Sequence, residues 1–260
     1  MDFALQDRRV LITGASQGIG EGLATAFAEE GCDLVLVARS ADKLAAIAEK
    51  LTKAHGVQVD VMALDLTEGG AAERVAEHAR EIDVLVNNAG AIPGGNLWEV
   101  DEAKWRAGWE LKVFGTINLT RAIYPAMKAR GSGVILNNIG NGGENFDAEY
   151  IAGSTGNAAL MAFTRAIGGT SLADGIRVIG VNPGPVATER IVKVLKARAG
   201  KRYGDSERYA ELLAAYPRGR AASVREIADL FVFLASERSG YTSGTIFTVD
   251  GGITSKRSIG

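Results

Sequence analysis

The sequence predicts a doubly wound α/β domain, with a seven-stranded parallel sheet and helices on both faces. Short apolar segments rich in β-branched residues recur seven times along the 260 residues, and helical patterns lie between them. Parallel neighbours need crossover connections of about a dozen residues or more, which the helical segments supply. The strand-like segments are apolar on both faces, which is typical of strands that helices cover on both sides.

Each predicted element has its own signal. The first strand leads into a glycine-rich turn and a helical pattern over 18–30. In the second helical stretch, 41–56, the apolar residues Leu44, Ile47 and Leu51 share one face. A third helical stretch over 69–82 precedes the fourth strand. The seven predicted strands are 9–14, 32–39, 57–66, 83–90, 132–140, 175–184 and 244–252.

Composition limits the class of protein. Apolar residues make up 47% of the chain and charged residues 23%, as in ordinary globular proteins. The net charge of −2 gives no reason to expect nucleic acid or a membrane as partner. The single cysteine, Cys32, suits a reducing compartment and leaves no metal-ligand set. Since no Pro/Ser-rich linker interrupts the series of strands, we expect one domain over 1–260. From the cysteine content we expect a cytoplasmic protein without a metal site.

The loop after the first strand, TGASQGIG, carries glycines at 14, 18 and 20. Glycines permit a tight turn, and the helix N-terminus that follows can hold an anionic pyrophosphate. The same loop also fits an ordinary strand–helix turn, so the pattern alone does not decide between the two.

Four further motifs follow in order at the ends of later strands: LDL (64–66), NNAG (87–90), VNPGPVATE (181–189) and SGTIFTVDGG (243–252). With the glycine loop, this set resembles the short-chain dehydrogenase/reductase family over nearly the whole chain. The resemblance implies a Rossmann-like fold and a bound nicotinamide dinucleotide. The cofactor-binding residues that it implies are Gly14, Ser16, Gln17, Gly18, Ile19, Gly20, Asp65, Leu66, Asn88, Ala89, Gly90, Asn157, Pro183, Gly184, Val186 and Thr188.

The end of the second strand bears on the choice of cofactor. NAD-binding domains place a carboxylate there to accept a bond from the ribose 2′-hydroxyl. This sequence has Ala38 followed by Arg39, and a guanidinium can bind a 2′-phosphate through two hydrogen bonds. NADP(H) is therefore predicted over NAD(H). Alternatively, Arg39 stacks on the adenine of either cofactor.

The family's chemistry depends on an asparagine, a serine, a tyrosine and a lysine, and all four positions are substituted here. Alignment without gaps places Lys112 at the asparagine, Gly140 at the serine, Gly153 at the tyrosine and Asn157 at the lysine. A phenol titrates near 10 and needs a nearby cation to act at neutral pH. An insertion of three residues that moved Tyr150 into the tyrosine's place would rotate the following helix by about 300°.

A rearranged site is the first of three interpretations. Tyr150 lies seven residues before Asn157, which is similar to the spacing in enoyl reductases of the family. The missing side chain at Gly153 would leave room for the ring of Tyr150, provided that Tyr150 sits on the loop or in the first helical turn. Lys112 would supply the missing cation. The candidate catalytic residues are then Tyr150, Lys112 and Asn157.

Two other interpretations stay open. In one, the protein binds NADP without redox turnover and has a regulatory or binding role. In the other, carboxylates of the loop 141–150, namely Glu144, Asp147 and Glu149, perform the acid–base step. The first interpretation leads the prediction: an NAD(P)(H)-dependent oxidoreductase with a non-standard active site, acting on a small carbonyl or alcohol, or on an enoyl-type substrate.

A substrate lid is expected over 188–218. Its segment 190–202 contains six basic residues and no acidic one. This charge suggests an anionic substrate, although an amphipathic helix with Ile191 and Leu195 facing inward explains the same pattern. The family resemblance further implies a homotetramer or homodimer, paired through the helices around Lys112 and Asn157.

Overall fold

Seven strands form a single sheet in the computed structural model, which describes residues 2–256. The strand order is β3-β2-β1-β4-β5-β6-β7, and every neighbouring pair is parallel, which confirms the predicted fold class. The strands are β1 (Arg9–Thr13), β2 (Asp33–Ala38), β3 (Val59–Ala63), β4 (Val84–Asn87), β5 (Gly133–Asn138), β6 (Ile176–Pro183) and β7 (Ile246–Val249).

Nine α-helices lie in the described part of the chain. They are α1 (Gly18–Glu29), α2 (Ala41–His55), α3 (Ala71–His78), α4 (Glu102–Trp109), α5 (Gly115–Arg130), α6 (Ile151–Gly168), α7 (Glu189–Tyr203), α8 (Tyr209–Leu213) and α9 (Val224–Ala235). A π-helical segment, Glu110–Phe114, joins α4 to α5. None of the helices within 2–256 is both long enough and apolar enough to cross a bilayer.

The core has two layers, one on each face of the sheet. On one face, α1, α2 and α9 bury Phe27, Leu44 and Phe231 against the strands. On the other face, Val75 from α3 and Leu119 from α5 are buried. Burial of one such side chain contributes about 1.5–3 kcal/mol, so the two layers stabilise the sheet.

The chain order reverses between β1 and β4. Strand β1 pairs with β2 on one side and with β4 on the other, because the chain crosses the sheet after β3. The helices that follow β1 and β4 therefore lie on opposite faces of the sheet, and the topology predicts a crevice at the carboxyl ends of these strands. Ligands of open α/β sheets bind in this crevice.

Candidate active site

The glycine loop after β1 has the backbone shape that only glycine adopts easily. Gly14 has φ of 64° and Gly18 has φ of 60°, which lie in the left-handed region. A Cβ at Gly20 would lie 2.2 Å from the carbonyl oxygen of Gly14, so the turn closes tightly on itself. Gln17 caps α1 with an extended backbone and makes no side-chain bond to the helix. The N-terminal amides of α1 are thus open to an anionic group.

Hydrogen bonds fix this loop to the loop after β4. The Thr13 hydroxyl accepts bonds from the backbone amides of Asn88 (2.9 Å) and Ala89 (3.0 Å). The Asn88 side chain donates to the Thr13 carbonyl at 2.9 Å and accepts from Asn138 at 2.7 Å. A Cβ at Gly14 would meet the Cα of Ala89 at 2.9 Å. Three of the predicted cofactor residues, Gly14, Asn88 and Ala89, therefore lie side by side at the crevice.

The end of β2 carries two cations. The guanidinium of Arg39 lies 3.8 Å from the Asp65 carboxylate, and its side chain is 72% exposed. Hydrogen bonds from Thr67, with the Arg39 charge as a lesser cause, lower the pKa of Asp65 below its ordinary value. Lys43, in the first turn of α2, donates to the side chain of Gln17 at 3.3 Å. Lys43 was not predicted, because its proximity to the glycine loop depends on how α2 packs.

Other predicted cofactor residues divide between the crevice and the core. Thr188 lies beside the glycine loop, since its Cγ2 would be 3.4 Å from a Cβ at Gly18. A Cβ at Gly184 would meet Asp250 at 2.6 Å, so the backbone passes close to the segment after β7. Ser16 lies in the glycine turn, and Ile19 packs against the core cluster beneath it. Pro183 and Val186 are buried, and Leu66 packs against the other core cluster.

Tyr150 is the N-cap residue of α6. It thus lies at the junction of loop and helix, the position from which its side chain is expected to reach the site. Its ring lies over Gly153: a Cβ at Gly153 would be only 1.9 Å from the Tyr150 Cζ. The ring thus occupies the space that a side chain at 153 would take. Burial raises the pKa of the Tyr150 phenol, and the charge of Arg190 opposes that shift.

Asn157 is buried within α6, and its amide faces Gly140. A Cβ at Gly140 would lie 3.1 Å from the Asn157 Nδ2, and Gly140 itself has φ of 115°. The Oδ1 of Asn157 finds no hydrogen-bond donor within residues 2–256. A buried acceptor without a partner costs about 1–3 kcal/mol, so a hydroxyl donor from a bound molecule would satisfy it. This fits a sugar hydroxyl of a dinucleotide.

Lys112 lies in the π-helical segment, a distortion often found at functional sites. Its ammonium donates to the Ile139 carbonyl at 2.5 Å, and its chain packs against Gly90. Burial, with a smaller contribution from Arg190, lowers the pKa of Lys112 from 10.5 to about 7. Lys112 thus lies between Gly90 and Ile139, and the cation that contacts the phenol is a different residue.

That cation is Arg190, in the first turn of α7. One nitrogen of its guanidinium donates to the Tyr150 hydroxyl at 3.3 Å and to the Ile92 carbonyl at 3.2 Å. The other donates to the Gly90 carbonyl at 3.4 Å. The sequence drew attention to Arg190 only as one of six basic residues in the lid, because a contact across 40 residues leaves no local signal.

The acidic side chains of the loop 141–150 are all engaged. Asp147 accepts a bond from Arg198 at 2.6 Å, and Glu149 lies 3.4 Å from Lys201. Glu144 accepts from the Thr248 hydroxyl at 2.8 Å. These contacts engage the three carboxylates in structural roles, which argues against a carboxylate as the general base.

The same contacts reduce the positive charge of the lid. Arg198 and Lys201 are paired with the acidic loop, and Lys201 also pairs with Glu99 at 2.8 Å. Lys196 pairs with Glu207 inside the lid. An anionic substrate stays a prediction, and these ion pairs weaken the physical reason for it.

Comparison with known proteins places this geometry in a family. Residues 14–254 match the family model described as enoyl-(acyl carrier protein) reductase. Dehydrogenase/reductase SDR family member 6 of Rattus norvegicus is 31% identical over 250 residues, covering 95% of this chain and 98% of the rat protein. The chain belongs to the short-chain dehydrogenase/reductase family. It has the NAD(P)-binding Rossmann-like fold of these oxidoreductases.

Two other similar proteins are a dehydrogenase and a reductase. Galactitol 2-dehydrogenase (L-tagatose-forming) of Cereibacter sphaeroides is 33% identical over 257 residues, 97% of each chain. The crystal structure of L-sorbose reductase from Gluconobacter frateurii, complexed with NADPH and L-sorbose, has a TM-score of 0.91 at 35% identity and covers 100% of both chains. The family assignment therefore confirms the fold and the oxidoreductase class.

Proposed function

We propose that this protein is an NADP(H)-dependent oxidoreductase that interconverts a small carbonyl compound and its alcohol, with Tyr150 as the proton donor. The position of the Tyr150 ring over Gly153 is the observation that carries the proposal. The family's tyrosine position is vacant at Gly153, and a phenol from one helical turn earlier fills the space. A proton-donating group is thus retained although the sequence position has changed.

The residues at the crevice fit a nicotinamide dinucleotide. The open amides of α1 and the glycine loop would hold the pyrophosphate. Asn157 would accept a bond from a ribose hydroxyl through its unpartnered Oδ1, in place of the family's lysine. When bound, the dinucleotide supplies the hydride for the carbonyl carbon.

Tyr150 completes the reduction by donating its phenolic proton to the carbonyl oxygen. The carbon gains a hydride and the oxygen gains a proton, so the product is the neutral alcohol and the phenol becomes a phenolate. Because burial raises the pKa of Tyr150, the phenol keeps its proton at neutral pH, which is the state that donation requires. Lys112, with a pKa of about 7, is a second group in the site that can exchange a proton near neutrality.

NADP(H) is proposed over NAD(H) because of the charges at the end of β2. Arg39 is exposed, and Lys43 adds a second cation beside Gln17. Arg39 directly follows β2, where NAD-binding domains place a carboxylate. The Asp65 carboxylate lies 3.8 Å from the Arg39 guanidinium, so a 2′-phosphate would share or replace that contact.

A carbonyl–alcohol pair of the sugar or polyol class is the proposed substrate. The names of two relatives support this class, since one is a galactitol dehydrogenase and the other an L-sorbose reductase. An enoyl-type substrate is the second candidate, because the matching family model carries that description. An NADP-binding protein without turnover remains the alternative, since all four family positions are substituted.

A substrate panel separates these functions. The panel holds ketoses, simple ketones, polyols and enoyl thioesters, with NADPH oxidation or NADP⁺ reduction as the readout and NADPH affinity measured in parallel. We expect turnover of a ketone or its alcohol. NADPH binding without turnover of any member of the panel would contradict the oxidoreductase proposal and support the binding role.

The cofactor preference is tested by Arg39→Ala. A charge-assisted hydrogen bond contributes about 1.5–3 kcal/mol, and the exposure of Arg39 reduces this to about 1.4 kcal/mol, or tenfold in affinity. We expect the dissociation constant for NADPH to rise about tenfold and that for NADH to stay unchanged. Equal affinities for the two cofactors in the wild-type protein would contradict the assignment.

A further inference from the structure

The guanidinium of Arg190 connects three separate parts of the site. It belongs to α7, and it donates to carbonyls of Gly90 and Ile92 in the loop after β4 and to the Tyr150 hydroxyl at the start of α6. All three acceptors are neutral oxygen atoms. Within residues 2–256, no carboxylate lies within ion-pair distance of Arg190, although Arg198 and Lys201 on the same helix are both paired. Its charge is therefore not cancelled by a neighbouring acid.

This charge acts on both titratable groups of the site in one direction. Arg190 opposes the burial that raises the pKa of Tyr150, and it adds to the burial that lowers the pKa of Lys112. A cation beside an acidic group favours loss of the proton. Without Arg190, burial alone would act on the phenol and would make a phenolate costly.

The other charged groups around Tyr150 are accounted for. Asp147 and Glu149 on its own loop point to Arg198 and Lys201 of α7. On the side of α4 and the π-helical segment, Trp105 and Trp109 make apolar contacts. The charged group on that side is Lys112, whose ammonium donates to the Ile139 carbonyl and not to the phenol. Arg190 is the one cation that touches the hydroxyl among the described residues.

We propose that Arg190, carried by the lid helix, replaces the family's lysine as the positive charge that orients the Tyr150 hydroxyl and stabilises its phenolate. The role rests on the proposed function, and Arg190 is a positioning residue that acts through Tyr150. Because α7 carries the guanidinium, the position of this helix sets the distance between the charge and the phenol. Asn157, at the family's lysine position, would then bind only the ribose.

The first experiment needs no substrate. The protein is labelled with ¹³C at the tyrosine ζ carbon, and the Tyr150 signal is assigned by its loss in Tyr150→Phe. We expect the pKa of this phenol to shift upward in Arg190→Met and to stay near the wild-type value in Arg190→Lys, which keeps the charge. An unchanged titration in Arg190→Met, or an equal shift in both variants, would overturn the proposal.

Kinetics provide the second readout once a substrate is found. We expect kcat/KM to fall at least about tenfold in Arg190→Met, to recover in large part in Arg190→Lys, and the limb of the pH profile that reports the phenol to move upward. Arg190→Gln serves as a second neutral variant if Arg190→Met does not fold. A loss of activity with an unmoved pH profile would overturn the role of the charge. A shifted titration without turnover of any substrate would leave this charge assignment standing and refute the proposed function instead.

Discussion

At the scale of single residues, the alignment without gaps predicts that two of the family's residue types have exchanged places. A lysine, Lys112, stands at the asparagine's position, and an amide, Asn157, stands at the lysine's position. Each faces the loop around Gly140: the Lys112 ammonium bonds to the Ile139 carbonyl, and the Asn157 amide would meet a Cβ at Gly140. A cation and an amide thus both lie beside this loop. Their positions support the proposal of a rearranged site.

The lowered pKa of Lys112 gives a prediction for stability. In the folded protein its pKa is about 7, against 10.5 as the ordinary value. Between these values the unfolded chain binds one more proton than the folded chain, so the free energy of unfolding rises with pH. We expect urea denaturation to show higher stability at pH 9 than at pH 7, and this rise to be smaller in Lys112→Met. An identical pH dependence in the two proteins would contradict the lowered pKa of Lys112.

At the scale of elements, ion pairs in the C-terminal half of α7 connect this helix to the loops beside the site. Arg198 and Lys201 reach Asp147, Glu149 and Glu99 on the facing loops, while Arg190 reaches Tyr150 from the first turn. The basic segment thus acts mainly within the protein. The amphipathic interpretation of the sequence agrees with this arrangement, because Leu195 is buried on the inner face of the helix.

Breaking these pairs is expected to weaken substrate binding. Exposed ion pairs contribute up to about 1 kcal/mol each and are screened by salt. In the double variant Arg198→Gln, Lys201→Gln we expect KM to rise about fivefold with little change in kcat, and added salt to affect the variant less than the wild type. Lys196→Gln is the matched control, since Lys196 pairs with Glu207 inside the lid segment. Equal KM values and equal salt responses in the double variant and this control would show that these ion pairs do not contribute to substrate binding.

At the scale of the whole molecule, the sequence predicts the fold correctly, while the cofactor-binding residues stay predictions. The order of strands and helices follows from local periodicity, and the parallel pairing follows from the length of the crossovers. The alignment without gaps also predicts the space over Gly153 that the Tyr150 ring fills, because helical spacing fixes which residue faces the site. Homo-oligomerisation and the cytoplasmic location stay predictions.

Contacts between distant segments could not be predicted in the same way. Arg190 lies 40 residues from Tyr150 in sequence, and Lys43 lies 26 residues from Gln17. Neither pair has a shared motif or a spacing that signals contact. Their proximity depends on how α7 and α2 pack, so the sequence placed the compensating cation on Lys112, which lies in the site but bonds elsewhere.

The most direct test of the account is the reaction rate of Tyr150→Phe with saturating NADPH, beside Tyr241→Phe as control. Tyr241 is 98% exposed and precedes the amino end of β7, whereas the site lies at the carboxyl ends of the strands. Tyr241→Phe therefore removes a tyrosine hydroxyl outside the site. We expect kcat/KM to fall about 100-fold or more in Tyr150→Phe, with unchanged NADPH affinity, and to stay at the wild-type value in Tyr241→Phe. Wild-type turnover by Tyr150→Phe would show that the displaced phenol is not the proton donor.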